Sequence, residues 1–259
     1  MNESRQTALI TGASSGIGLE LARSFAAGGF DLVLVARNKS ALDAIAGELA
    51  AAYSIKAAAF ASDLSDAAAP AALYERLRAS GARIDVLVNN AGFGVRGNFL
   101  AQPAESQFDM VEVNVSALTR LSRLFGADML ARGRGRILNV ASTAAFQPGP
   151  GMAVYYATKS YVLSLSEAMS EELAGTGVTV TCLCPGPTAT GFAAAAKMED
   201  ALLFKLGAMD ARTVARLGYE ATLEGRRLIV TGLRNKLGAF FVRFSPRGLV
   251  LKFAKRLQA

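Results

Sequence analysis

The chain of 259 residues contains no histidine. That absence removes Ser-His-Asp and Cys-His nucleophile chemistry and every histidine-ligated metal centre. Cysteine is almost absent too, with Cys182 and Cys184 the only two. They stand two apart in a run that reads as a strand, where alternate residues share a side. They suit buried small hydrophobes better than a disulfide or a metal site, so no metal is expected. No apolar stretch long enough to span a bilayer runs without a charge, so no spanning helix is expected. Polar Met1 to Gln6 lead straight into an apolar run, without the basic-then-apolar pattern of a signal peptide. A cytoplasmic protein is the expectation. Acid is scarce at the C-terminal end. Residues 212–259 hold 11 Lys+Arg against 2 Asp+Glu, whereas residues 1–211 hold 17 against 19, so the net charge of +7 belongs to the tail.

Hydrophobic residues make up 52% of the chain, enough for one large core at this length. Apolar strand-like runs alternate with helical patterns from the first residues to about 190, with no internal repeat, linker or low-complexity tract beyond an alanine bias. This alternation predicts an α/β fold: a doubly wound parallel sheet of Rossmann type, in a single domain with a C-terminal helical extension. The division expected is 1–235 for a dinucleotide-binding catalytic unit and 236–259 for a basic amphipathic extension.

Thr7 to Ile10 reads as a strand. Thr11-Gly12-Ala13-Ser14-Ser15-Gly16-Ile17-Gly18 follows it, then Leu19, Leu21, Ala22, Phe25 and Ala26 at helical spacing. Strand, glycine turn and helix form a phosphate cradle, because glycine lets the backbone approach a pyrophosphate and the helix N-terminus offers unpaired N–H groups. The spacing G-x-x-x-G-x-G differs from the G-x-G-x-x-G fingerprint but does the same work; a tight turn without a ligand is the alternative. Leu32 to Ala36 is a second strand, ending at Arg37-Asn38. An acid there favours a free ribose 2′-hydroxyl and an arginine a 2′-phosphate, so Arg37 argues for NADP, unless it is a solvated residue at a helix start. Asp63, at the tip of a third strand, suits either an acceptor for an adenine amino group or a cap or turn of the chain.

Ile84 to Val88 is another strand and runs into Asn89-Asn90-Ala91-Gly92, a loop able to approach a ligand closely, or an ordinary turn. The helix expected over Glu105 to Phe125 carries Asn114 in an apolar run, where an amide needs partners. Ser142 ends the strand Arg136 to Ala141, at the carboxyl edge where parallel sheets bind ligands. Tyr155 and Lys159 follow on the helix Val154 to Leu173, one turn apart and on one face. An ammonium beside a phenol lowers its pKa, which would make Tyr155 a usable general acid or base; the spacing alone would equally suit a surface pair. Pro185-Gly186-Pro187-Thr188 breaks the strand Val178 to Leu183. Thr190 to Ala208, poor in charge, reads as a lid over an apolar substrate or as a core helix. Phe93, Phe146, Met152, Phe192 and Phe204 suggest an apolar pocket, though core positions would look the same.

In order and spacing, residues 7 to about 190 resemble a classical short-chain dehydrogenase/reductase (SDR). Thr11-Gly12-x3-Gly16-Ile17-Gly18 resembles that family's cofactor loop, Asp63-Leu64 its adenine contact, and Asn89-Asn90-Ala91-Gly92 its central-strand motif. Asn114, Ser142, Tyr155 and Lys159 match its catalytic tetrad, and Pro185-Gly186 with Thr188 resembles the segment meeting the nicotinamide carboxamide. The resemblance implies an oxidoreductase that moves hydride between NADP(H) and a ketone, aldehyde or alcohol. Tyr155 would exchange the proton, Ser142 would bond the reacting oxygen, and Lys159 would lower the Tyr155 pKa and hold the nicotinamide ribose. Asn114 would anchor a water leading from Lys159 to solvent. Gly12, Ser14, Ser15, Gly16, Ile17, Gly18, Arg37, Asp63, Asn90, Ala91, Gly92, Pro185, Gly186 and Thr188 would join Tyr155 and Lys159 around the cofactor. A homodimer or homotetramer through the long helices is expected, and no nucleic acid. Two departures stand out. Ser15 occupies a position often basic in NADP-preferring members, and the chain continues past Gly232 with a segment the family pattern does not cover.

In that segment Ser245-Pro246 reads as a cap and first helical residue. Leu249, Val250, Phe253, Ala254 and Leu257 then fall on one helical face, with Arg247, Lys252, Lys255 and Arg256 on the other. Such a helix can lie on the inner face of an anionic membrane and reach a lipid-like substrate, or pack onto the body or a second subunit. A catalytically idle NADP-binding regulator on the same fold is the alternative function.

Overall fold

The computed structural model describes residues 5–196, 198, 201 and 207–258. Its strands are β1 (Thr7–Thr11), β2 (Asp31–Ala36), β3 (Ala57–Ala61), β4 (Val86–Asn89), β5 (Gly135–Val140), β6 (Val178–Cys184), β7 (Thr188–Ala189), β8 (Met209–Asp210) and β9 (Leu228–Val230). Seven form one sheet in the order β3-β2-β1-β4-β5-β6-β9, with every neighbouring pair parallel. The short β7 and β8 pair with each other instead. The expected doubly wound Rossmann-type sheet is therefore present in a single domain.

Side-chain parity explains the layers. Ala8 and Ile10 of β1 pack into one core and Leu9 into the other; Leu32 and Leu34 divide from Val33 and Val35 in the same way, and Val86 and Val88 from Leu87. Strands apolar on both faces must be covered on both. On one side lie α1 (Gly16–Ala27), α2 (Lys39–Tyr53) and the helix Ala211–Leu223, which bring Leu21, Leu42 and Val214 to the first core. On the other lie α3 (Ala69–Ala79), with Pro70 in its first turn, and a long helical run of α4 (Ala104–Val111), a π-helical turn Glu112–Ala117 and α5 (Leu118–Ala131). Leu73, Leu121 and Phe125 are buried there. The helix α6 (Ala153–Glu172) covers the same side further along, where Val162 meets Cys182 and Cys184. Both thiols are buried and free, as expected of small hydrophobes.

Because the seven strands are parallel, their carboxyl ends share one edge. β1 has β2 on one flank and β4 on the other, which opens a crevice at that edge where the winding reverses. The extension lies at this same edge. It comprises two helices, Leu233–Val242 and Arg247–Gln258, the first of which crosses the expected 235/236 boundary. The second helix begins at Arg247, one residue later than the expected Pro246, and the Ser245 hydroxyl donates back to the Phe241 carbonyl at 2.9 Å. No helix among the described residues is long and apolar enough to cross a membrane.

A buried polar chain ties the helices of the second face to the sheet. Asn89 and Asn139 are register partners on β4 and β5. Asn89 Nδ2 donates to Ser122 Oγ on α5 and to Asn139 Oδ1, both at 2.9 Å, and Asn139 Nδ2 donates to Ser166 Oγ on α6 at 2.9 Å. Removing the middle of a buried chain strands both neighbours. Asn139→Leu is expected to lower stability by about 1–3 kcal/mol, read from the urea midpoint at unchanged slope.

Candidate active site

The turn after β1 is built by contacts that only its residue types permit. Gly12 has φ +66°, and a Cβ there would stand 2.8 Å from Asn90 Nδ2; one at Gly18 would collide with the Gly12 carbonyl. Asn90 locks the turn to β4, donating from Nδ2 to the Thr11 carbonyl at 2.9 Å, while the backbone N–H groups of Asn90 and Ala91 both donate to Thr11 Oγ1 at 3.0 Å. Ser15, preceding α1, makes no capping bond with its side chain, so the N-terminus of α1 is turned to the crevice without a side-chain cap.

A cavity of about 920 Å³ runs along the edge from this turn. Gly12, Ser14, Ser15, Gly16, Ile17 and Gly18 line one part of it. Arg37 and Asp63 lie at its far end, and Asn90, Ala91 and Gly92 at its middle, with Pro185, Gly186 and Thr188 opposite. Asp63 accepts from Ser65 N–H at 3.1 Å and from the Ser65 hydroxyl at 2.9 Å. Those bonds, with a lesser pull from Arg37, hold its carboxyl below the usual range. Asp63 thus makes the turn that the sequence offered as an alternative, and still faces the cavity.

Ser142, Tyr155 and Lys159 also line the cavity. On α6 the buried face repeats through Thr158, Lys159, Val162 and Ser166, so helical spacing sinks the lysine while Tyr155, one turn earlier, reaches the opening. Lys159 Nζ donates to the Val140 carbonyl at 2.8 Å and lies 5.8 Å from the Tyr155 ring centre. Asn114 stands behind the cavity wall, 1% exposed. Its Oδ1 accepts from Phe93 N–H at 3.0 Å, and its Nδ2 donates to the Phe93 carbonyl at 2.9 Å and to Thr158 Oγ1 at 3.1 Å. The π-helical turn that carries Asn114 aims this amide at the Phe93 backbone.

The electrostatics correct one expectation. The ammonium was expected to lower the phenol's pKa. Burial instead pushes Tyr155 up to about 12, although a side-chain hydrogen bond with Ser142 draws it back in part. Burial likewise pulls Lys159 down to about 8, opposed by Cys182 and Cys184. Both groups lose water, and desolvation of the charged form is the largest influence on each.

Of the apolar residues expected, Phe93, Met152 and Phe192 line the cavity, and the Phe192 ring lies 5.4 Å from that of Tyr155. Phe146 does not; it packs behind, against the cluster of Leu118, Val162 and Cys182. Most of the expected lid, Phe204 included, lies outside the described residues, but Ala196, Met198 and Ala201 pack with Met152 and Tyr156 beside the site. Sequence reasoning offered packing onto the body as one fate of the extension, and the structure shows it, but that reasoning did not show that the extension lines the cavity. Asn235, Ala239, Phe241, Val250 and Leu257 all line the cavity, and a side chain at Gly186 would run into the Asn235 amide. Helical spacing showed an apolar face there but not what it covers.

A glycine turn at the reversal point of a parallel sheet, with a Tyr and Lys pair opposite, defines a nucleotide-dependent oxidoreductase. The chain belongs to the short-chain dehydrogenase family, whose model matches residues 6–201. It is 41% identical over 182 residues to the uncharacterized oxidoreductase YvrD of Bacillus subtilis, covering 70% of this chain and 68% of that one. Among solved structures, a short-chain dehydrogenase from Sphingobium yanoikuyae in complex with NADPH superposes with a TM-score of 0.83 at 35% identity over 94% of both chains. The bulky-bulky ketone specific alcohol dehydrogenase from Comamonas testosteroni gives 0.81 at 32% identity, over 95% of this chain and 94% of that one. Family membership brings NAD(P) as cofactor and a small-molecule substrate.

The two pKa directions give a pH dependence. Tyr155 keeps its proton up to about 12, whereas Lys159 keeps its charge only below about 8. If the site reduces a carbonyl, kcat/KM, which reports the free enzyme, is expected to fall as pH rises through about 8 while Lys159 discharges. A pH–rate profile flat to about 10, the ordinary tyrosine range, would assign the limb elsewhere.

Proposed function

We propose that this protein is an NADP(H)-dependent carbonyl reductase, equivalently an alcohol dehydrogenase, acting on an apolar substrate. The observation that carries the reading is the meeting of Ser142, Tyr155 and Lys159 in a cavity that also holds the glycine turn. The nicotinamide would supply or accept the hydride, for which the chain has no group of its own. Tyr155, protonated across the working range, gives its proton to the carbonyl oxygen or takes one from an alcohol. Ser142, already bonded to the phenol, holds that oxygen within reach. Lys159, anchored on the Val140 carbonyl, keeps a positive charge beneath the ring and further donors for a ribose. Asn114 acts through the segment at Phe93 and through Thr158, and so fixes the loop against which Lys159 lies.

The cradle residues Gly12, Ser14, Ser15, Gly16, Ile17 and Gly18 suit a pyrophosphate, with close backbone approach and a helix N-terminus lacking a side-chain cap. Arg37, at the end of β2 and in the cavity wall, favours the 2′-phosphate of NADP, and the NADPH complex of the Sphingobium yanoikuyae relative is consistent with it. Asp63 serves the adenine end, and Asn90, Ala91, Gly92, Pro185, Gly186 and Thr188 the nicotinamide half. The bulky ketone substrate of the Comamonas testosteroni relative supports a large apolar substrate, as do Phe93, Met152 and Phe192. Exposed Phe108, Val111 and Tyr161 on the long helices favour a homodimer or homotetramer. A cytoplasmic enzyme touching the inner face of a membrane through its basic extension completes the reading.

With NADPH and a panel of ketones and aldehydes, loss of the reduced nicotinamide is expected, and Tyr155→Phe is expected to slow it roughly a hundred- to ten-thousandfold. Turnover unchanged in Tyr155→Phe would refute the assignment and favour an idle site. Arg37→Ala is expected to weaken NADPH about tenfold or more and NADH little, since it removes one charge-assisted contact to phosphate. Equal losses for the two nucleotides, measured by fluorescence titration, would mean that Arg37 does not meet the 2′-phosphate.

A further inference from the structure

The extension has two opposed faces. On the helix Leu233–Val242, Asn235, Ala239 and Val242 recur at i, i+4 and i+7 and turn to the cavity. Leu233, Leu237 and Phe240 recur on the opposite face, continued by Phe244 in the turn that follows, and all are exposed, Phe240 at 55% and Phe244 at 72%. Large apolar side chains grouped on an exposed face mark an interface. The stripe also joins the cavity. The Phe240 ring lies 5.1 Å from that of Phe244 and 5.7 Å from that of Phe241, and Phe241 both lines the cavity and is 59% exposed. Leu249 and Phe253 of the second helix are likewise at once lining and exposed. Apolar side chains are therefore found both on the outer surface and at the cavity mouth, with Phe240 and Phe241 adjacent between them.

Charge selects what covers this surface. From Leu233 to Gln258 there are seven Lys or Arg and no Asp or Glu. A second copy seated on the stripe by two-fold symmetry would set basic helices against basic helices. An anionic bilayer would meet the basic side chains outside the cavity, Lys252 and Lys255 among them, with opposite charge, and its acyl region would take the phenylalanines. We propose that the extension docks on an anionic membrane surface by this stripe, and that the rim of Phe241, Leu249 and Phe253 is the mouth through which a long-chain, lipid-like ketone or alcohol passes from the bilayer to Tyr155. This deepens the reductase reading and rests on it for the chemistry. The basic charge holds the mouth to the surface, and the inner faces of the same two helices roof the chain of the bound substrate.

The test uses the full chain, vesicles of phosphatidylcholine with and without phosphatidylglycerol, NADPH, a long-chain ketone dissolved in the vesicles, and a small water-soluble ketone. The protein is expected to sediment with the phosphatidylglycerol vesicles, to be released at high salt, and to leave pure phosphatidylcholine largely unbound. Phe240→Ser with Phe244→Ser, both outside the cavity wall, is expected to cut partitioning at least about tenfold. It should slow reduction of the vesicle-borne ketone in parallel and leave the soluble ketone unchanged. Lys252→Glu with Lys255→Glu, a change of charge on an exposed surface, is expected to cut partitioning by a similar factor. Indifference of the full chain to both vesicles, or partitioning that neither double variant alters, would overturn the proposal. So would loss of oligomer mass in the phenylalanine variant with no vesicle binding by the parent, which would give the stripe to a second copy. Partitioning as expected without turnover of any ketone would overturn the reductase reading and leave the docking surface standing.

Discussion

The Lys159 ammonium is the group whose position constrains everything near it. A charge out of water is costly unless hydrogen-bonded, and its pKa falls to meet that cost. Here Nζ is held at 2.8 Å by the Val140 carbonyl, the last residue of β5, at the edge where that strand stops. The strand must end there for the carbonyl to turn toward the lysine, and Ser142 follows two residues on. α6 must lie close across β5 and β6 for Nζ to reach, which fixes Tyr155 one turn earlier at the cavity. The buried chain Asn89–Asn139–Ser166 is what clamps α6 at that depth. Sheet, helix and charge are thus parts of one arrangement, and displacing any of them leaves an ammonium without its acceptor.

Burial of the phenol itself is the first reason that Tyr155 is not acidic in this structure. Nζ of Lys159 lies over the ring, 5.8 Å from its centre. Ser142 is the neighbour that lowers the phenol. For the proposed carbonyl reduction this division is suitable, since a protonated Tyr155 is the form that would donate.

Much of this was legible in the sequence because it depends on local spacing. A glycine turn between a strand and a helix, strands with β-branched runs, and Tyr155 one turn before Lys159 are patterns that neighbouring residues enforce. The carboxyl-edge placement of Ser142 followed from parallel winding alone. What could not be read depends on long-range packing. Asn114 needed partners, but only the fold shows that they are the Phe93 backbone and Thr158, reached through a π-helical turn no spacing signals. Phe146 lies near the site in sequence and behind it in space, since Ser142 to Phe146 turns back against α6. The pKa directions depend on solvent exclusion, which a spacing of four residues does not report.

The extension was the largest gap between pattern and fold, and its resolution bears on how the cavity works. Amphipathicity was plain in the sequence, but an amphipathic helix states only that one face avoids water. In the structure the apolar residues split. Val250, Ala254 and Leu257 turn inward, whereas Leu249 and Phe253 stay exposed at the rim. A helix that only completed the core would have buried them all. A helix that only bound another surface would not reach Asn235 into contact distance of Gly186, beside the segment assigned to the nicotinamide half. The arrangement couples the two faces. The same two helices thus line the cavity with one set of side chains and present the other set to the outside.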